Sequence, residues 1–200
     1  MRKASVKRKS DETQINIKLS IEGKGEYKIQ TPINFFTHLL ENFSKHGLFD
    51  LTVAAMGDID TDQHHTVEDI GMVLGQAFGK ALGSMRGLQR AGFFAFPMDE
   101  ALGIVAVDLG GRSFVVFNAK FKKQRIGDFE VDLAEEFFNG FSRGLRCNIA
   151  IYVPYGKNDH HKIEAIFKAF GKAMQMACII NKRAKSNVPS TKKLIDIMKN

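Results

Sequence analysis

Twice in this chain a pair of histidines is followed, two residues later, by a glutamate: His64-His65-x-x-Glu68 and His160-His161-x-x-Glu164. Imidazole and carboxylate are donors suited to Mn, Fe, Co, Ni or Zn, and the lack of neighbouring thiolates argues against a structural zinc centre. On a helix, residues four apart share a face, so His64 and Glu68 can reach one ion. The adjacent His65 points about 100° away and can serve another. Two such helices could share a pair of ions crosswise. A single copy reads equally well as a surface histidine pair at a helix start. Two copies in register, with Asp62 and Asn158-Asp159 as caps just before them, point instead to a pair of divalent metal ions.

The elements that must carry these motifs follow from periodicity. Gln14 to Ile21 alternates, with Ile15, Ile17, Leu19 and Ile21 on one face, which predicts a half-buried strand. Gly23-Lys24-Gly25 marks a turn, and Glu26 to Gln30 is the expected hairpin partner. A helix from about Asn34 to Lys45 stops at Gly47, a strand runs through Phe49, Leu51 and Val53, and a second helix begins at His64. The second half is predicted alike: strands over 101–108 and 113–121, a helix over 131–145, a strand over 148–153 and a helix from His160 to about Ala177. At an offset of 96 residues (160 − 64) Ile70, Gly75, Ala77 and Ala81 match Ile166, Gly171, Ala173 and Ala177 as well as the motif residues. Self-similarity at a fixed offset indicates duplication. The expected fold is α+β, a strand-strand-helix-strand-helix unit written twice, giving two mixed sheets with helices packed on one face of each. The first repeat is expected over 1–95 with a basic N-terminal arm and the second over 96–180. A flexible basic tail is expected over 181–200.

Composition sets the outer bounds. With 44% hydrophobic and 26% charged residues the 200-residue chain is an ordinary globular sequence. No apolar run approaches the roughly 18 residues of a membrane helix, and the basic start leads into no apolar segment of a secretory signal. A cytoplasmic protein without a membrane partner is expected. Cys147 and Cys178 are too few for a disulfide framework and read as buried apolar side chains. The net charge of +7 invites a nucleic-acid reading, but the basic residues gather at the two ends, and no aromatic-basic strand motif of the RNA-binding kind stands out. No nucleic-acid partner is expected. His46, near a helix C-terminus, is read as a ring favoured as a cation by the helix dipole, without a role in chemistry.

Beyond the histidine pairs the chain resembles the imidazoleglycerol-phosphate dehydratase family of histidine biosynthesis over almost its whole length. The resemblance is carried by Phe35-Phe-Thr-His-Leu-Leu40, Asp62-Gln-His-His-Thr-Val-Glu-Asp69, Pro97-Met-Asp-Glu100, Asp108-Leu-Gly-Gly-Arg112, Gly156-Lys-Asn-Asp-His-His161, Phe167-Lys-Ala169 and Pro189-Ser-Thr-Lys192. It implies a hydro-lyase with two divalent ions, Mn2+, removing water from imidazole glycerol phosphate to give imidazole acetol phosphate. It also implies metal ligands His38, His64, His65, Glu68, His160, His161 and Glu164. Glu12 is implied as the general acid/base beside the carboxylates Glu68 and Glu164, with Asp99 and Glu100 at the border of the site. The substrate phosphate is implied to meet Arg90, Arg112, Lys168, Ser190 and Lys192. The same resemblance implies self-association into 24 chains built from trimers, with metal sites shared between subunits.

Three positions depart from the pattern. Ala150 stands in Asn148-Ile-Ala-Ile151 where the resemblance implies a ligand histidine, Thr37 stands where an aspartate is usual, and Lys193 replaces a glycine. The first raises an alternative: a diverged, low-activity metal-binding paralogue whose second ion lacks a ligand. A basic nucleic-acid-binding module ranks last.

Overall fold

The computed structural model describes residues 1–184, 187–191 and 195. The first half contains β1 (Lys3–Lys9), β2 (Thr13–Ser20), β3 (Tyr27–Gln30), α1 (Asn34–Gly47), β4 (Asp50–Gly57) and α2 (Gln63–Leu82). The second contains β5 (Ala91–Met98), β6 (Ala101–Asp108), β7 (Phe114–Asn118), a small hairpin of β8 (Arg125–Ile126) and β9 (Phe129–Glu130), then α3 (Leu133–Leu145), β10 (Asn148–Tyr152) and α4 (Asp159–Ala177). The four-stranded sheets have the orders β1-β2-β4-β3 and β5-β6-β10-β7. These are the same topology, antiparallel with one parallel edge pair, so the duplication read from the motifs extends to the whole fold.

Each four-stranded sheet holds one strand more than expected, and the second half adds the small β8–β9 hairpin. The basic N-terminus is not a loose arm: β1 pairs antiparallel with β2 from Lys3↔Ser20 to Lys9↔Gln14. Its counterpart β5 escaped the periodicity because Gly92 and Pro97 interrupt a run rich in phenylalanine and alanine. The glycine is required there, since a β-carbon at Gly92 would lie 1.9 Å from the Ala173 carbonyl oxygen of α4. The expected hairpin of residues 14–30 is also corrected. β3 pairs parallel with β4, from Tyr27↔Leu51 to Gln30↔Ala54, and both edges of β2 are taken by β1 and β4. The Gly23-Lys24-Gly25 segment wraps around the start of β4 instead of reversing, because Asp50 Oδ1 accepts from Lys24 N at 2.8 Å and Glu26 N at 3.1 Å. Likewise β7 is shorter than expected and lies parallel to β10, not antiparallel to β6.

The helices exchange partners between halves. α1 of the first half packs on α4 of the second, and α2 packs on α3. Glycine makes both crossings close: a β-carbon at Gly171 would lie 2.5 Å from Phe43 O, and one at Gly75 would lie 2.4 Å from Phe141 O. Phenylalanines knit the layer, with ring centroids 4.9 Å apart for Phe43 and Phe170, 5.2 Å for Phe137 and Phe167, and 5.7 Å for Phe78 and Phe141. The repeats therefore share one core, and their join is the loop between α2 and β5. Beyond α4, the described part of the tail is tied to that loop through Asn181 N to Gly87 O and Gly87 N to Asn187 O. Cys147 and Cys178 are free and buried, as expected, and burial pushes the Cys178 thiol up to about 12. Among the described residues no helix is long and apolar enough to cross a membrane.

Candidate metal centre

Both motifs begin their helices as predicted. Asp62 Oδ1 accepts from His64 N at 2.8 Å and Asn158 Oδ1 from His160 N at 3.0 Å, so each histidine pair occupies the first turn of α2 or α4. The partner helices then bring in a third donor. His38 of α1 joins His160 and Glu164, and Glu136 of α3 joins His64 and Glu68; in each group one donor atom per residue lies within 4.8 Å of the others. Atoms bound at roughly 2.1 Å to one ion must lie within about 4.2 Å of each other, so a small inward shift closes either group on a metal. The donor set of imidazole nitrogens and carboxylate oxygens fits a divalent transition metal.

Glu164 is the hub of the His38 group. Its Oε1 lies 2.7 Å from His38 Nε2 and 2.9 Å from His160 Nε2, and Lys168 Nζ donates to Oε2 at 2.7 Å. Burial alone would raise its pKa. The bonds from Lys168 and His38 outweigh burial and bring the carboxyl down to about 2. In the other group His64 Nε2 lies 3.6 Å from Glu68 Oε2, and Arg143 contacts Glu68 Oε1. Glu136 was not singled out in the sequence.

His65 and His161 face away from these groups, in keeping with the 100° step. Each is anchored through Nδ1: His65 to Asp58 at 3.3 Å and His161 to Glu100 Oε2 at 2.7 Å. These bonds raise both histidine pKa values, and the bond to His161 is the main reason Glu100 falls to about 2. A carboxylate on Nδ1 fixes the ring, the arrangement found behind many metal-bound histidines, and His161 Nε2 lies 3.6 Å from Asp99 Oδ2 and 3.4 Å from Asn158 Nδ2. Glu12 lies beside His65: its carbonyl accepts from Asp58 N at 3.1 Å, and its charge also raises the His65 pKa.

The residues expected to hold phosphate divide into two places. Arg90, at φ 71°, grips Asp108 with Nε and Nη2 at 2.6 and 2.8 Å and donates from Nη1 to Pro189 O at 2.7 Å, next to Ser190. Arg112 is exposed just beyond β6, two residues after Gly110, where a β-carbon would lie 2.9 Å from Arg90 Nη2. Lys168 lies at the other end of β5, where its Nζ also meets Met98 Sδ at 3.2 Å. Eight strand residues separate the two places by roughly 25 Å. Lys192 and Lys193 lie outside the described residues.

Three further positions differ from their reading in the sequence. Ala150 borders neither donor group of its own chain: it lies exposed in β10, between Ala106 of β6 and Val116 of β7, on the sheet face opposite the buried Ile149 and Ile151 that pack into the core. A histidine there would leave the sheet away from both donor groups. Thr37 orients no imidazole; its hydroxyl lies 2.9 Å from that of Thr31. His46 is not favoured as a cation either, because burial and then the charges of Lys168 and Lys172 lower its pKa.

A duplicated α+β fold carries an imidazole–carboxylate group able to hold a divalent ion at each motif helix, and basic side chains at a strand end. The imidazoleglycerol-phosphate dehydratase family profile matches residues 31–174. The chain is 52% identical over 98% of its length to the imidazoleglycerol-phosphate dehydratase of Koribacter versatilis and 49% identical over 98% to that of Thermoanaerobacter sp., covering 100% of each. Solved structures of the dehydratases of Staphylococcus aureus and Pyrococcus furiosus, the latter in complex with (S)-C348, superpose with TM-scores of 0.80 and 0.83 at 36% and 33% identity; the matches cover 90% and 95% of this chain and 99% and 100% of those. The chain belongs to the imidazoleglycerol-phosphate dehydratase family.

Proposed function

We propose that this chain is a metal-dependent hydro-lyase that converts imidazole glycerol phosphate to imidazole acetol phosphate in histidine biosynthesis, in the cytoplasm. The observation that carries the reading is the pair of convergent donor groups, His38–His160–Glu164 and His64–Glu68–Glu136, in a chain of this family. They fit two divalent ions, read as Mn2+, which when bound would act as Lewis acids on an imidazole ring and hold it in place. His65 and His161, their rings fixed by Asp58 and Glu100, are read as further ligands of an ion held partly by another copy of the chain.

The chain's own groups account for the remaining work. Lys168 holds Glu164 ionised, and Asp58 and Glu100 fix the two outward rings. Glu12, exposed beside His65, is read as the group that takes the carbon-bound proton of the substrate on its carboxylate. Arg90, Arg112, Ser190 and Lys192 are read as one phosphate cluster, with Lys168 approaching from a neighbouring copy, because about 25 Å of strand separates it from them within one chain.

Self-association, with 24 chains built from trimers as the expected form, draws support from the sheet surface. Phe93, Val116 and Tyr152 are exposed large apolar residues on the outer face of the second sheet, and Phe93, Ala106, Ala150 and Val116 form a continuous row across it. Ala150, on the outer face of the second sheet, stands apart from both donor groups of its own chain and gives no motive within one chain for a low-activity paralogue.

The test is turnover of imidazole glycerol phosphate by the manganese-loaded protein and by the same protein after chelation. Formation of imidazole acetol phosphate that disappears with chelation and returns with Mn2+ is expected. Equal rates in both states would overturn the metal dependence, and no product from loaded protein would overturn the activity.

A further inference from the structure

Each motif helix supplies one imidazole and one carboxylate, and the third donor comes from the helix packed against it out of the other half. That third donor is His38 in one group and Glu136 in the other. The two positions are counterparts. Ser44 Oγ donates to Phe49 O just past α1, and Ser142 Oγ donates to Cys147 O just past α3, each at 2.7 Å. The offset is 98 residues (142 − 44), and the same offset carries His38 to Glu136 (136 − 38). The repeats thus placed a donor at the same point of both helices but of different chemistry.

One group is therefore two imidazoles and a carboxylate, the other one imidazole and two carboxylates. Their cationic neighbours do not erase the difference. Lys168 offsets Glu164, leaving that group formally neutral, whereas Arg143 offsets only one of Glu68 and Glu136, leaving a formal charge of −1. Oxygen donors and negative charge suit manganese, while nitrogen donors suit zinc and cobalt.

Resting on the metal reading above, we propose that the two ion sites are unlike in selectivity. His64–Glu68–Glu136 is a hard site that retains manganese, His38–His160–Glu164 is a softer site that yields first to zinc, and Glu136 sets the difference. Zinc binds more tightly than manganese at a given nitrogen–oxygen site, but its margin narrows as oxygens replace nitrogens.

The experiment loads the whole protein with two Mn2+ per chain, titrates with Zn2+ and follows released Mn2+ by its aqueous EPR signal. Two release steps of one ion each are expected, separated by about tenfold or more in free zinc. Glu136→His softens the first site and draws the steps together; His38→Glu hardens the second and draws them together from the other side. Either variant decides if the other fails to fold. Release of both ions at one zinc concentration in the wild type overturns the proposal, as does a two-step profile left unchanged in a folded, two-ion variant. Protein that retains no manganese overturns the metal reading itself, and the proposal with it.

Discussion

The Asp128 carboxylate, in the turn between β8 and β9, accepts from the backbone N–H of Phe35 at 2.9 Å and caps the start of α1 from 93 residues away. α1 has no capping side chain of its own, and the second Asp128 oxygen accepts from Asn34 N at 2.6 Å. Burial opposes ionisation of Asp128, but these bonds outweigh it and hold the pKa below the ordinary value. A depressed folded pKa adds stability above the unfolded value of about 3.9, and that stability is lost as pH falls through the folded pKa. Asp128→Ala should cost about 1 kcal/mol at neutral pH, the usual worth of a cap. In urea unfolding the gap from wild type should narrow below about pH 4; a gap independent of pH would mean that charge has no part in the cap.

Gly75→Ala and Gly171→Ala should each destabilise by about 1–3 kcal/mol, because the new methyl group meets a backbone carbonyl on the crossing helix and the crossing must open. Thermal melts of the two variants should agree closely, since the crossings are copies. A tolerated substitution at one position alone would show that the repeats have diverged in packing.

Ala150→His should add no bound ion, read as metal per chain against wild type. The ring would stand on the outer face of the second sheet, beside Ala106 and Val116. A gain of a bound ion would contradict the placement of the two donor groups.

Glu12→Gln should lower kcat by roughly 10²–10⁴-fold if its carboxylate moves the proton, with metal content and KM little changed. The amide keeps the shape and removes the base. A loss of bound metal in parallel would assign Glu12 to holding an ion instead.

Much of the frame was legible because helix periodicity and the repeated motif are local signals. Both motif helices begin within a residue of where Asp62 and Asn158 place them, and the matched apolar positions Ile70, Ala77 and Ala81 are buried, as are Ile166, Ala173 and Ala177. Strand partners were not legible. The choice of β4 over β2 as partner of β3 depends on Asp50 gripping the backbone at Lys24 and Glu26, a contact across 24 to 26 residues. Glu136 was not legible because the offset of 96 holds only for the last helix of each half. The earlier helices repeat at 98, and aligning Ser44 with Ser142 sets Glu136 opposite His38. For Ala150, strand alternation sets it opposite Ile149 and Ile151, but only the fold shows that the helices bearing the donor groups cover the other face.

The N-terminal strand gives the positive charge of this chain another meaning. β1 is the outermost strand of its sheet, and Lys3, Lys7 and Lys9 stand exposed along it at every second or fourth position. A free strand edge invites pairing with any other extended chain, and spaced lysines repel that approach. Acetylating these lysines would leave the fold's contacts in place yet strip the edge of its protection, so the cost would be paid in solubility on crowding and not in the melting temperature.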